Sequence, residues 1–306
     1  MNQPPDRTLH WRPGFPVDAR LTLSDLRRGH HDPTHRLERD GALWRTALTA
    51  SGAVSYRIRQ QRLDDLLIDA WGPGAAEWVE GAPRELGALD HPEEFRPEHP
   101  FLRQALRRLP GLRVPHTGRV LEALVPAIIE QRVVGLDAQA AFTRLVRSHG
   151  TTPPGPAPRG MRVPPTAETW MRIPSWDWRR AGVDLHRSRA VIEAARQAAR
   201  LERAARAGDP DRAYALLASL PGVGRWTSAQ VGHRALGDAD ALPLGDYHLG
   251  QATGVALLGR PLADAEIEPF YEPFRPHRYR VIRLIELTPH SAPRHAPRAP
   301  RARPLD

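Results

Sequence analysis

The sequence predicts a mainly α protein with a small α+β domain at its N-terminal end. Two observations carry this. Period-two alternation of apolar and polar residues is confined to the first quarter of the chain, and from about residue 89 the apolar residues recur at helical spacing. A chain of 306 residues with 41% hydrophobic content is long enough for two or three units, each with its own core.

Residues 1–15 are polar and proline-rich and are expected to be disordered. Residues 16–88 form the expected α+β domain. In "AVSYRIRQ", Val54, Tyr56 and Ile58 fall on one face and Ser55, Arg57 and Arg59 on the other. "ALWRTALTA" precedes it, and Ser51-Gly52 supplies a hairpin turn. "RLDDLLIDAWG" reads as a third strand or a short helix. Residues 89–288 are expected to be all-α. "PFLRQALRRL" is a short helix, and "TGRVLEALVPAIIEQRVV" spaces Val120, Leu124, Ile128 and Val133 near a helical period. "LDAQAAFTRLVRSHG" is a helix closed by Gly150, and "TTPPGPAPRGMRVPP" is a loop. "RSRAVIEAARQAARLERAARAG" reads as one arginine-laced helix, "RAYALLASL" as a short one, and two more fall near 264–272 and 276–287. Trp170, Trp176 and Trp178 are assigned to the core. Residues 289–306, with five prolines and four arginines, are expected to be a disordered basic tail.

A net charge of +9 suggests a polyanionic partner, nucleic acid before membrane, although a codon bias toward Arg, Ala and Pro would also produce it. There is no cysteine, which excludes disulfides, thiolate zinc sites and iron–sulfur clusters. All 44 basic residues are arginine, so no side-chain amine exists to form a Schiff base. No apolar run is long enough to span a membrane, and residues 1–20 carry Pro, Asp and Arg where a signal peptide needs an apolar core. The expected location is the cytoplasm.

The chemistry concentrates in "LPGVGRWTSAQVGHRALGDADALPLGDYHLG", residues 220–250. It reads as helix, tight glycine turn, helix. Gly222 and Gly224 permit positive φ and close approach of the backbone, and the following helix begins with N–H groups free to seat a phosphate. Taken alone, Pro-Gly is an ordinary helix-ending turn. Together, "LPGVGRWTS" and "PLGDYHLG" resemble the helix–hairpin–helix DNA glycosylases, in particular the 3-methyladenine DNA glycosylase II branch. The resemblance covers about residues 100–288, including "IIEQRVVG" and "FYEPFRPHRYRVIRLIEL".

The resemblance implies a core of two helical subdomains and a monofunctional glycosylase that opens base-excision repair on alkylated purines in duplex DNA. It implies that Pro221, Gly222, Val223, Gly224, Arg225 and Thr227 hold a DNA phosphate, with a monovalent cation, Na or K, on hairpin carbonyls and no other cofactor. Asp246 corresponds to the catalytic aspartate; Asp238 and Asp240 are rivals, read as solvated. Trp226, Gln230, Tyr247 and Phe274 correspond to the base pocket. Here Gln230 replaces a tyrosine of the family pattern, and Phe274 stands where tryptophan is usual. Gln131 and Arg132 correspond to the loop that fills the gap left by the flipped base. Trp226 occupies the position where lyase-type relatives carry lysine, which implies no lyase activity. No side-chain metal site is implied, and the expected state is a monomer at the nucleoid. A non-catalytic DNA-binding protein, or a glycosylase for deaminated or oxidised bases, remains as the alternative.

Overall fold

The computed structural model describes residues 3–289. Its N-terminal part is an antiparallel sheet in the order β1-β5-β4-β3-β2. The strands are β1 (Arg7–Trp11), β2 (His35–Leu37), β3 (Leu43–Thr49), β4 (Gly52–Arg62) and β5 (Asp65–Trp71). Val54, Tyr56 and Ile58 of β4 are buried, as the alternation requires. β3 and β4 pair from Thr49↔Gly52, so the loop is Ala50-Ser51 and Gly52 begins the strand at φ +126°. Glu77 accepts both loop N–H groups, from Ala50 and Ser51. "RLDDLLIDAWG" resolves as strand β5.

The expectation of disorder in residues 1–15 is corrected for the described part. β1 pairs along β5 from Arg7↔Ala70 to Trp11↔Leu66. It is an edge strand with only Leu9 and Trp11 packed at the margin of the core, so its sequence carries little apolar signal.

Helix α1 (Ala19–Ser24) is capped by Asp18, and α2 (Ala75–Glu85) crosses the sheet, stacking Trp78 on Tyr56 at 3.6 Å. Glu85 ends α2 and is buried. It accepts from Arg45 (3.1 Å), the Tyr56 hydroxyl (2.7 Å), the Trp78 indole (2.9 Å) and Arg119 (2.8 and 3.1 Å). Arg45 and Arg119 also reach Glu122, so this buried network joins the sheet to the helical body.

The helices that follow are α3 (Pro100–Arg108), α4 (Val120–Glu130), α5 (Gly135–His149), α6 (Ala167–Arg172), α7 (Ser175–Ala181), α8 (Leu185–Arg196), α9 (Ala198–Arg206), α10 (Pro210–Ala218), α11 (Arg225–Val231), α12 (Leu249–Leu258), α13 (Asp264–Tyr271) and α14 (Arg278–Leu287). They build two cores. One gathers Leu124, Ile128, Phe142, Val191 and Leu217 from the middle of the chain. The other joins Leu102 of α3 to Leu249, Ile267, Tyr279 and Ile285 near the end. Helix α11 contributes to both, Val231 to the first and Ala229 to the second.

Two further expectations are corrected. The arginine-laced segment is two helices, α8 and α9, divided at Gln197. Trp170 and Trp178 stack in the core at 5.8 Å, but Trp176 is 65% exposed. The expected basic tail, 289–306, lies outside the described residues from 290 onward. Among the described residues no helix is long and apolar enough to cross a membrane.

Candidate active site

Helix α10 stops at Ala218, and the chain turns through Leu220–Gly224, with the Val223 N–H on the Leu220 carbonyl (3.1 Å). Gly222 takes φ +81°, closed to most side chains. Gly224 is the N-cap of α11 and offers no capping side chain, so the first-turn N–H groups face outward unpaired. Helix α11 continues into a π turn, Gly232–Leu236.

The turn is held from below by Gln131, which follows α4. Its side-chain amide donates to the Gly222 carbonyl and to the Thr227 hydroxyl, both at 2.8 Å. Thr227 is buried, so its hydroxyl serves this brace and does not face a ligand. Arg132 is exposed at φ +56° and is the one non-glycine at positive φ among the described residues. Arg225 turns sideways onto Glu268 of α13, at 2.6 and 3.5 Å.

Asp246 follows Gly245, which takes φ +89°. Its Oδ1 accepts the His248 backbone N–H (2.9 Å), and its Oδ2 accepts the Trp226 indole N–H (3.0 Å). Two residues separated by twenty positions thus meet at the mouth of the hairpin helix. The start of α12 lies three residues further on. Trp226 and Asp246 are both half-buried, leaving part of each open to solvent.

The rivals are placed differently. Asp238 accepts the Tyr214 hydroxyl at 2.5 Å and the Asp240 N–H at 2.8 Å. Asp240 is gripped by Arg278 (2.7 and 2.9 Å) and Arg275 (2.9 Å). Neither is the solvated acid expected; both are fixed in bonds that bring the 237–244 loop to α10 and α14. They line a cleft of about 550 Å³ with Arg225 and Glu268. A second cavity, about 610 Å³, lies between the sheet domain and α4. Trp226 and Asp246 line neither.

The other base-pocket candidates differ in depth. Gln230 is 9% exposed, and its amide oxygen accepts from Arg234. Tyr247 is 73% exposed, edge-on to His248 at 5.1 Å. Phe274 is half-buried against Phe270 (5.8 Å) and Tyr271 (6.1 Å).

Sequence reasoning missed a tie between the N-terminal domain and α11. His233 Nδ1 lies 2.8 Å from the Asp25 carboxylate, while Arg234 donates to His233 Nε2 (3.0 Å) and to the Asp25 carbonyl (2.9 Å). That pairing requires a neutral ring with its proton on Nδ1. Burial pushes the His233 ring down to about 3, against the pull of Asp25. The ring stacks on Tyr279 of α14 at 3.8 Å. Nothing local in "DLRR" or "VGHRAL" signals this, because the partners are 208 residues apart. Among the described residues no cluster of three or more His, Asp or Glu is set to hold a metal ion.

Two helical cores, a glycine hairpin where they meet and an aspartate held beside it define the helix–hairpin–helix DNA glycosylase fold. The comparisons agree. The structure superposes on 3-methyladenine DNA-glycosylase from Archaeoglobus fulgidus with a TM-score of 0.72, covering 91% of this chain and 96% of that one at 18% identity. It also matches the Clostridium acetobutylicum 8-oxoguanine glycosylase/lyase solved with double-stranded DNA, at TM-score 0.64 and 12% identity, over 92% and 97% of the two chains. In sequence, 180 residues are 31% identical to a Mycobacterium tuberculosis protein described as a probable bifunctional transcriptional activator/DNA repair enzyme AlkA. That match takes in 58% of this chain and 35% of the relative, so the chain spans about a third of the length of the curated relatives it matches. No family model matches the chain.

Proposed function

We propose that the chain is a monofunctional DNA glycosylase that hydrolyses the N-glycosidic bond of alkylated purines in duplex DNA, the first step of base-excision repair. The observation that carries this is the carboxylate of Asp246, held by the Trp226 indole beside an open hairpin. The likeness to an A. fulgidus 3-methyladenine glycosylase and to an AlkA repair protein supports the base class.

In this reading the hairpin N–H groups seat a phosphate and the damaged nucleotide is turned out of the stack. Arg132, exposed at the tip of the loop after α4, fills the gap. The base stacks on the Trp226 ring, and a cationic alkylpurine gains a cation–π contact there. The glycosidic bond breaks toward an oxocarbenium-like sugar, whose positive charge the ionised Asp246 stabilises. Water completes the hydrolysis and leaves an abasic site. The chain has no lysine, so a lysine imine has no donor and strand cleavage by that route is closed. The enzyme acts as a monomer at the nucleoid.

For a monovalent cation the hairpin offers carbonyl oxygens. A Na or K ion would rest on carbonyls of this turn, where Gly222's also accepts the Gln131 amide and Leu220's the Val223 N–H, and would supply charge beside the phosphate.

The test is release of free base from methylated duplex DNA under single turnover, for wild type and Asp246→Asn. The wild type releases 3-methyladenine or 7-methylguanine. The variant binds duplex as well or better, because one negative charge beside the backbone is gone, and loses ~10²–10³ in rate, the usual cost of one preorganised electrostatic partner. A folded wild-type protein that binds DNA and releases no base is a binding module instead.

A further inference from the structure

The hairpin's own cation is engaged elsewhere, since Arg225 is paired with Glu268. Helix α8 packs against the turn. A Cβ placed on Gly222 would stand 3.3 Å from the Ala190 side chain and 3.7 Å from His186 Nε2. His186 therefore lies in the first turn of α8 directly against the glycine at the apex of the hairpin. The turn that carries it is anchored. Asp184 caps the Arg187 N–H (2.9 Å), and the buried Arg187 guanidinium donates to the Ile129 carbonyl (2.7 Å) and the Gly182 carbonyl (3.1 Å). Ile129 lies near the end of α4, two residues before the Gln131 that braces Gly222. The start of α8, the end of α4 and the hairpin are thus one rigid assembly. His186 itself is exposed, and no hydrogen bond, ion pair or ring contact engages its side chain.

We propose that His186 is a DNA-backbone contact of the hairpin, donating an imidazole N–H to a phosphate oxygen beside the seat formed by the turn. The assignment rests on the DNA-binding reading above. A donor fixed on a packed helix is already positioned, and phosphate contacts of this kind set register on the duplex without reading sequence. Gly222 then has two uses: its positive φ closes the turn, and its missing side chain lets α8 bring His186 to the turn's edge.

The experiment is a charge ladder at this position, with binding to undamaged duplex measured by fluorescence anisotropy between 50 and 200 mM salt, and melting temperatures recorded. His186→Ala should bind ~3–10-fold more weakly, about the net worth of one ordinary hydrogen bond. His186→Glu should be weaker still, and His186→Arg should equal or exceed wild type, with a salt slope steeper by about 0.9, the release of one further counterion. Affinities within twofold of wild type for all three variants, or equal losses for all three with lowered melting temperatures, overturn the assignment. If the wild-type protein shows no duplex binding, the functional reading falls and this assignment falls with it.

Discussion

On the proposed reading Trp226 does two things, and Trp226→Phe separates them. Phenylalanine keeps an aromatic face for a base to stack on, worth ~1–3 kcal/mol. It removes the indole N–H that donates to Asp246 Oδ2 at 3.0 Å. A hydrogen bond to a charged acceptor contributes ~1.5–3 kcal/mol. At about 1.36 kcal/mol per tenfold in rate, losing an orienting bond of that size slows chemistry by ~10- to 150-fold. The remaining bond, from the His248 N–H to Oδ1, holds the carboxylate by one edge and leaves it free to swing. The assay is single-turnover release of 7-methylguanine, paired with binding to a duplex carrying a 2′-fluoro alkylpurine that resists hydrolysis. Trp226→Phe should lose rate and keep affinity within about threefold, which is under ~1 kcal/mol. Trp226→Ala should lose both. A Phe variant with the wild-type rate would show that the indole bond does not position the carboxylate. A Phe variant that loses affinity as severely as Ala would place the ring's value in packing.

The remaining predictions concern the buried charges that fix the scaffold. Glu85 accepts from two arginines, a tyrosine and a tryptophan; Glu85→Gln should cost ~3–5 kcal/mol in chemical denaturation, because two buried guanidiniums are left to share Glu122 as counter-charge. Burial opposes its ionisation, but Arg119 and Arg45 hold the carboxyl down at about 2; its folded value lies below the ordinary 4.5, so its stabilisation is full above pH 4.5 and fades as pH falls toward 2. Glu202 behaves in the opposite sense. Burial pushes its carboxyl up to about 7, although it accepts the Leu121 N–H at the start of α4. Because the folded protein holds that proton more tightly than the unfolded chain, the contribution of Glu202 to stability is greatest below pH 4.5 and declines as pH rises through 7. Glu202→Gln should flatten this decline, raising stability at pH 8 relative to wild type by ~1–3 kcal/mol and changing little at pH 4.5. An unchanged pH–stability curve in that variant would show that Glu202 is not the group responsible.

What the sequence made legible was what depends on near neighbours. The β3–β4 hairpin follows from alternation through Val54, Tyr56 and Ile58, and the glycine turn of 220–224 follows from residues within one helical turn of each other. β1 was hidden because "RTLHW" earns its place only by pairing with β5, about sixty residues away. The division of α8 from α9 was hidden because apolar spacing runs through Gln197 without a Gly or Pro to mark it. Trp176 was misjudged because tryptophan content says nothing about which side of a seven-residue helix faces out. Around the hairpin the same limit holds. The spacing of Gly222, Gly224 and Asp246 was visible, but the partners of Gln131, Arg225, Gln230 and Asp240 were not. Each of these polar side chains had several partners open to it in sequence, and tertiary packing chose one.

The geometry of Asp246 also bears on how the proposed chemistry is divided between enzyme and substrate. Both carboxylate oxygens already accept an N–H, one from a backbone and one from an indole. An oxygen so occupied is held in one orientation, which suits a fixed charge facing a developing cation. The two acids that sequence left open, Asp238 and Asp240, are engaged elsewhere, by Tyr214, Arg275 and Arg278. A site built around one oriented charge suits a base that leaves without being protonated. An alkylated purine with a fixed positive charge meets that requirement; a neutral deaminated or oxidised base does not. On the proposed reading, then, the preference for cationic purines comes from the state of the carboxylate as much as from the Trp226 ring that would stack on them.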